Sequence, residues 1–219
     1  MMTLKRVLAP AVAVTCVLTL AACGGSEEKP DAKPSNSPST TVNVPDGVAL
    51  SDLGSRLSFG EKATVAYEPN QKRSSVLDIT VNSVQRASIG ELGSYVLDDA
   101  TRKSTPYYVR MTVANVGQGD LGRTEVPIFL VDSTDTLIHS SSFTNTFKPC
   151  PSKPLPASFA PAATTTTCQL YLVPEGAAYR EISFRPVQDV EPIVWEGDAT
   201  NTKAYAQQLK KAKPKKAGN

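Results

Sequence analysis

The feature that most constrains this chain is a series of short runs in which apolar side chains fall at every second position. Tyr107, Val109, Met111 and Val113 alternate with Tyr108, Arg110, Thr112 and Ala114, and Leu77, Ile79 and Val81 alternate in the same way. Cys168, Leu170 and Leu172 alternate with Gln169 and Tyr171. Ile182 and Phe184 repeat the pattern, and Ile193-Val194-Trp195 closes it. Successive side chains of a strand point to opposite faces, so this period belongs to sheets with a buried face. Residues 126–131 form a continuous apolar run that contains Pro127. Proline has no N–H to give to a ladder, which fits a strand start or a sheet edge. Leu137 and Ile138 supply a short partner. Gly, Pro, Asn and Asp clusters separate the runs, and no long amphipathic helix lies between them. About seven or eight short strands in this arrangement predict an all-β fold, an antiparallel sandwich, over residues 57–197; parallel βαβ units are not expected.

The amino-terminal end carries a different signal. Lys5 and Arg6 precede an almost wholly apolar stretch, residues 7–20. That stretch falls short of the roughly 20 apolar residues that span a bilayer, and it suits the h-region of a signal peptide, residues 1–22. It ends in Leu20-Ala21-Ala22-Cys23, followed by Gly24 and Gly25. These residues resemble the lipobox of bacterial lipoproteins. The resemblance implies cleavage before Cys23, a diacylglyceryl thioether and palmitate-type acylation there, and membrane lipid as a partner. It implies a location on the extracytoplasmic face of the bacterial cell membrane. The chemistry agrees: Ala21 and Ala22 let a peptidase approach the backbone, and the Cys23 sulfur is a nucleophile. A single acyl chain, at about 0.8 kcal/mol per buried CH₂, holds a protein only marginally, so two chains make the anchor.

After Cys23, residues 24–56 are rich in Ser, Pro, Thr and charge and hold no aromatic residue. Such a composition buries too little apolar surface to offset its ordering entropy, and residues 23–56 read as a lipidated cysteine with a disordered tether. Without Lys5 and Arg6 the chain has 21 basic and 21 acidic residues. That neutrality hides an asymmetry. Six lysines and no acid follow Thr202, so residues 23–202 carry a net charge of −6. An acidic body argues against nucleic acid as a partner. With Cys16 in the signal peptide and Cys23 lipidated, Cys150 and Cys168 are the one intramolecular disulfide pairing available in an oxidising compartment. A metal or redox pair is the weaker reading: the spacing is not C-x-x-C, and His139 is the single histidine.

A second resemblance appears inside the β region. Tyr108-Val109-Arg110-Met111-Thr112-Val113-Ala114-Asn115-Val116-Gly117 is similar to the central strand and Asn-x-Gly turn of immunoglobulin-like domains found in bacterial lipoproteins of unknown function. Phe129-Leu130-Val131-Asp132 with Thr136 and Leu137 is similar to their next hairpin. Leu172-Val173-Pro174-Glu175-Gly176 with Ile182-Ser183-Phe184 is similar to their Pro-x-Gly turn and the strands beside it. The resemblance implies an immunoglobulin-like sandwich. Ser133-Thr134-Asp135 stands where that family has a glycine-containing turn, and the stretch before Cys168 is rich in Pro and Thr.

Candidate chemistry is sparse. His139 ends a strand beside Ser140, Ser141 and Ser142, but no G-x-S-x-G turn presents a nucleophile. Asp132 with Asp135, and Asp98 with Asp99, could offer oxygens to calcium; the spacing is not that of an EF-hand, and Asp at turns commonly caps backbone groups. The glycine-rich stretch from Asn115 to Gly122 lacks the helix and the Lys-Ser/Thr pair of a phosphate loop, and reads as an inter-strand loop using positive φ at its glycines. No catalytic, metal or cofactor residues are assigned. Residues 198–219 form a basic tail, with a short helix over residues 203–213 that places Tyr205 and Leu209 on one face. Its Lys210, Lys211, Lys213, Lys215 and Lys216 suit an anionic surface. The sequence therefore predicts a membrane-anchored, non-enzymatic binding or interaction module of the envelope, facing a protein or a cell-wall polymer. The disulfide-closed loop is its first candidate contact surface. A small-ligand or metal carrier is the alternative, and a hydrolase using His139 or an acid pair ranks below it.

Overall fold

The computed structural model describes residues 42–185 and 190–212. Cys23 and its lipobox, and Lys213, Lys215 and Lys216 of the tail, lie outside the described residues. The strands are β1 (Arg56–Ser58), β2 (Lys62–Asn70), β3 (Arg73–Arg86), β4 (Thr105–Asn115), β5 (Ile128–Asp132), β6 (Leu137–Ile138), β7 (Thr164–Val173), β8 (Tyr179–Phe184), β9 (Ile193–Glu196) and β10 (Thr200–Asn201). Two short helices, α1 (Asp99–Lys103) and α2 (Lys203–Ala212), and a 3₁₀ turn, Ile89–Leu92, complete them.

These strands make two packed sheets, the all-β sandwich that the alternation predicts. One sheet runs β1-β9-β8-β5-β6 and the other β10-β3-β4-β7, with β2 also on β3. The chain crosses between sheets from β1 to β2, from β4 to β5, from β6 to β7, from β7 to β8 and from β9 to β10. Pairing is antiparallel except for β1 with β9 and β10 with β3. Since β4 occupies one edge of β3, β2 and β10 share the other edge. β2 covers it from Arg73 to Thr80, and β10 takes it over at Gln85 and Arg86.

The core follows the period-2 reading. Leu77, Ile79 and Val81 of β3, Val109, Met111 and Val113 of β4, and Ile182, Phe184, Ile193 and Trp195 of the facing sheet are buried together. A bulge between Val81 and Ser83 shifts the parity of β3, so Val84 also turns inward. Each such side chain, fully buried, contributes roughly 1.5–3 kcal/mol. On β7 the inward residues are Tyr171 and Val173, while Cys168 and Leu170 point away from the main core. They meet Tyr108, Leu92 and Phe147 in a second cluster on the outer face of that sheet, with Tyr95 and Phe143 packed against it. One sheet is thus apolar on both faces, which explains why Tyr107 and Tyr108 are both buried.

The packed body extends past the expected span of 57–197 at both ends. Ser51 is already attached to β2: its N–H donates to the Thr64 oxygen at 2.8 Å, and its Oγ accepts from the Thr64 N–H at 2.9 Å. At the other end β10 joins the sheet, and Thr202 donates its N–H to the Arg86 oxygen at 2.9 Å.

Candidate functional site

Cys150 and Cys168 form a disulfide, with Cα atoms 5.1 Å apart. The loop it closes returns to the sandwich: Leu155 and Phe159 are buried in the main core. Ser152 seals the outer edge of β7, taking the Leu170 N–H on its Oγ at 3.0 Å and giving its own N–H to the Cys168 oxygen at 2.9 Å. Gln169 is held from the same loop, donating to the Lys153 oxygen at 2.9 Å. A paired edge cannot recruit another strand. This geometry serves as a staple of the fold, and the exposed residues of the loop mix Lys153 and Ser158 with Pro154, Pro156, Ala157 and Pro161.

The glycine-rich loop is organised by Asn115, which is fully buried. Its Nδ2 donates to the oxygens of Gly119 and Phe159, both at 2.7 Å, and its Oδ1 accepts from Ser75 Oγ at 2.6 Å and the Gly117 N–H at 3.2 Å. The loop's glycines do not use positive φ, contrary to the sequence reading; Arg123, at φ 64°, is the residue there that does. Glycine is required instead by close approach. A Cβ on Gly119 would lie 1.9 Å from the Ser74 oxygen, and one on Gly117 would lie 2.3 Å from the Val76 nitrogen. Asp120 accepts from the N–H groups of Phe159 and Gly122, at 2.8 and 2.7 Å, and these bonds hold its carboxyl below the usual range.

The other acids are also occupied by turns. Burial opposes ionisation of Asp132, but bonds from Thr134 Oγ1 (2.7 Å), the Thr136 N–H (3.0 Å) and the Thr134 N–H (2.8 Å) outweigh it and lower its pKa. Asp135 takes the left-handed turn position at φ 64° and pairs with Arg180. Asp98 caps α1 through the Thr101 N–H at 2.7 Å, which holds its carboxyl low. Asp99 is exposed in the first turn of α1. Neither Asp pair forms a ligand cage among the described residues. The His139 ring packs edge-on against Phe129, with centroids 4.8 Å apart, and among the described residues it has no hydrogen bond to a hydroxyl or carboxylate.

The structure adds a site that the sequence does not reveal. A cleft of about 1060 Å³ opens where β2 meets the start of β5 and the end of β8. Its floor is core: Val65, Val126, Ile128, Phe184 and Ile193. Tyr67, Phe129, Leu53 and Val42 form apolar walls, and Glu68, Glu125, Arg185, His139 and Ser142 add polar groups. Tyr67 donates to the Glu125 oxygen at 3.1 Å, and burial, with the Glu125 charge beside it, pushes its phenol up to about 12. Asn70 and Gln71 also belong to a second hollow, lined with Lys72, Arg73, Arg123 and Thr124 and holding no carboxylate among its lining residues. Arg73 donates to the Gly122 oxygen and faces Asp120, which leaves Lys72 and Arg123 as the open cations of that notch.

The basic tail is placed at the opposite end of β3. In α2, Tyr205 lies under the Arg86 guanidinium, 5.0 Å from its ring centroid. Thr202 receives the Tyr205 N–H at 3.2 Å and donates to Glu91 Oε1 at 2.8 Å. Leu209 remains 41% exposed, and Lys210 and Lys211 face solvent.

No family model and no curated protein matches the chain. Among solved structures it is similar to a Bacillus subtilis protein described as a candidate lipoprotein, with 14% identity and a TM-score of 0.42. The similarity covers 64% of this chain and 42% of that one, so the chain spans less than half of its length.

Proposed function

We propose that this chain is a lipid-anchored protein of the extracytoplasmic face of the bacterial cell membrane, whose immunoglobulin-like sandwich is a non-enzymatic binding module with its ligand in the cleft. The cleft carries this reading. A concavity of about 1060 Å³ with a mostly apolar lining and a few polar groups has the character of a ligand site, which commonly measures about 300–1,000 Å³. The anchor rests on Leu20-Ala21-Ala22-Cys23. The immunoglobulin-like assignment draws support from pairing order: β4 with β7 in one sheet, and β5, β8 and β9 adjacent in the other, as in that topology. Binding without chemistry is favoured because a nucleophile needs a hydrogen-bonded base, whereas His139 has an aromatic partner and Asp132, Asp98 and Asp120 are engaged by backbone N–H groups.

Lys210 and Lys211 favour an anionic partner for the tail. They lie beyond the far end of β3, a strand of 14 residues that spans about 45 Å. The cleft end carries Val42, where the chain arrives from the anchor. The tail lysines and the cleft thus sit at opposite ends of β3, and a cell-wall polymer is the partner proposed for the tail.

Two measurements test the reading. With Cys23→Ala, labelled fatty acid should no longer be incorporated and the protein should leave the membrane fraction; unchanged labelling would refute the anchor. Hydrogen exchange of the full chain, with and without envelope extract, should show protection at Tyr67 and residues 126–129. Equal exchange throughout the sandwich in the two conditions would sink the binding module.

A further inference from the structure

The cleft and the cationic notch adjoin, sharing Asn70 and Gln71, and their chemistries are complementary halves of one kind of molecule. The cleft offers apolar side chains continuous with the core, and its polar rim mixes the carboxylates of Glu68 and Glu125 with Arg185 and His139. The notch offers Lys72 and Arg123 with no carboxylate among its lining residues, at the tip of the β2–β3 hairpin. These cations stand out on a body of net charge −6 over residues 23–202. Arg123 is fixed in a left-handed turn at φ 64°, a conformation uncommon for a residue with a side chain, and its neighbour Thr124 closes that turn by donating Oγ1 to the Leu121 oxygen at 2.8 Å.

We propose that cleft and notch together bind one anionic lipid with a terminal phosphate, its hydrocarbon chain in the cleft and its phosphate at Lys72 and Arg123; this rests on the reading of the cleft as a binding site. The route of the chain supports a lipid over other apolar occupants. Val42 forms part of the cleft wall, and only 18 residues separate it from Cys23. Even fully extended they reach at most about 65 Å, so the anchor keeps this end of the sandwich within reach of a bilayer. The phosphate meets two exposed cations, and extraction of the chain from the bilayer is offset by burial in the cleft.

The test uses the full chain in phosphatidylcholine vesicles doped with a phosphatidic acid that carries a photoreactive group at its acyl terminus. Cross-links should map to the cleft, at Tyr67, Pro127 and Phe129. Their yield should fall roughly tenfold in Lys72→Glu with Arg123→Gly, the scale of losing a charge-assisted hydrogen bond. Both positions are exposed, and Gly adopts positive φ without strain, so the fold should persist; buried Trp195 fluorescence verifies this. The same photoreactive chain on phosphatidylcholine should label the cleft severalfold less. Dodecyl phosphate should compete, and inorganic phosphate alone should not. Equal labelling by the zwitterionic lipid, labelling confined to residues 1–41, or full competition by inorganic phosphate overturns the proposal. Cleft protection by envelope extract that survives removal of lipids, without any lipid cross-link, identifies a protein occupant: the lipid proposal then fails while the binding-module reading stands.

Discussion

Asn115 Nδ2 donates to the main-chain oxygen of Phe159, 2.7 Å away and 44 residues along the chain, and so ties the end of β4 to the disulfide-closed loop. The same side chain makes three further hydrogen bonds in a fully buried position. Asn115→Ala should cost about 3 kcal/mol, because several buried groups lose their partners at once. Asn115→Asp should cost at least as much: two donors disappear and a carboxylate is set against the Gly119 and Phe159 oxygens. Urea unfolding followed by fluorescence measures both.

Gly119 makes a separate prediction at the same loop. Because an added Cβ would meet the Ser74 oxygen at 1.9 Å, Gly119→Ala must displace backbone, and a loss of about 1–3 kcal/mol is expected. Gly47 has positive φ but open space around it, so Gly47→Ala should cost less, through backbone strain alone. Reversal of that order in melting temperature would contradict the close-approach account.

The sequence makes the strands with regular alternation legible, because Leu77, Ile79 and Val81, or Val109, Met111 and Val113, are set by a local period. β2 is harder to read. Its buried positions begin with the small Ala63, and Pro69 breaks its register with β3 near Asn70. β1 and β10 have three and two residues, too few for any period. The second apolar cluster is legible only in part: Cys168 and Leu170 lie on an alternating run, whereas Leu92, Tyr95 and Phe147 come from segments between strands. The cleft left none: Tyr67, Phe129 and Phe184 meet only because strands far apart in sequence end at one side of the sandwich. The role of the glycines is not legible in the sequence, because close approach to Ser74 and Ser75 is a tertiary property, while φ is the local one that a sequence suggests.

Asp132 gives the acid response of the β5–β6 turn. Its folded pKa is lowered, so its contribution to stability is complete above the unfolded value of about 3.9 and is lost as pH falls through the folded value beneath it. Asp132→Asn should lose the charge-dependent part of that stability near pH 7, although its amide oxygen can still accept the Thr134 and Thr136 N–H groups, and should flatten the loss below about pH 4. Asp132→Ala should cost about 1–3 kcal/mol at neutral pH. Thermal melts across pH 2.5 to 7 separate the two variants; an unchanged acid limb in Asp132→Asn would show that the carboxylate is not a source of it.

Reduction of Cys150–Cys168 should act in two separable ways. Releasing a loop with a sequence separation of 18 frees the unfolded chain by about 3 kcal/mol in the entropy model. In a domain of this size that corresponds to a fall in melting temperature of roughly 6–12 °C. The second effect is local. Cys150 and Cys168 belong to the outer apolar cluster with Tyr108 and Phe147, and the adjacent Ser152 holds the β7 edge at Leu170. Replacing both cysteines with alanine keeps small apolar groups in that cluster while opening the loop. If the staple acts mainly on the unfolded chain, the double variant should melt lower while the Leu170 amide loses exchange protection only in step with global stability. If it holds the edge in place, Leu170 should exchange ahead of core amides such as Val109, under conditions where the sandwich as a whole stays folded. The hydrogen bond from Leu170 to Ser152, on a loop that also buries Leu155 and Phe159, favours the first outcome, because those contacts remain when the disulfide is gone.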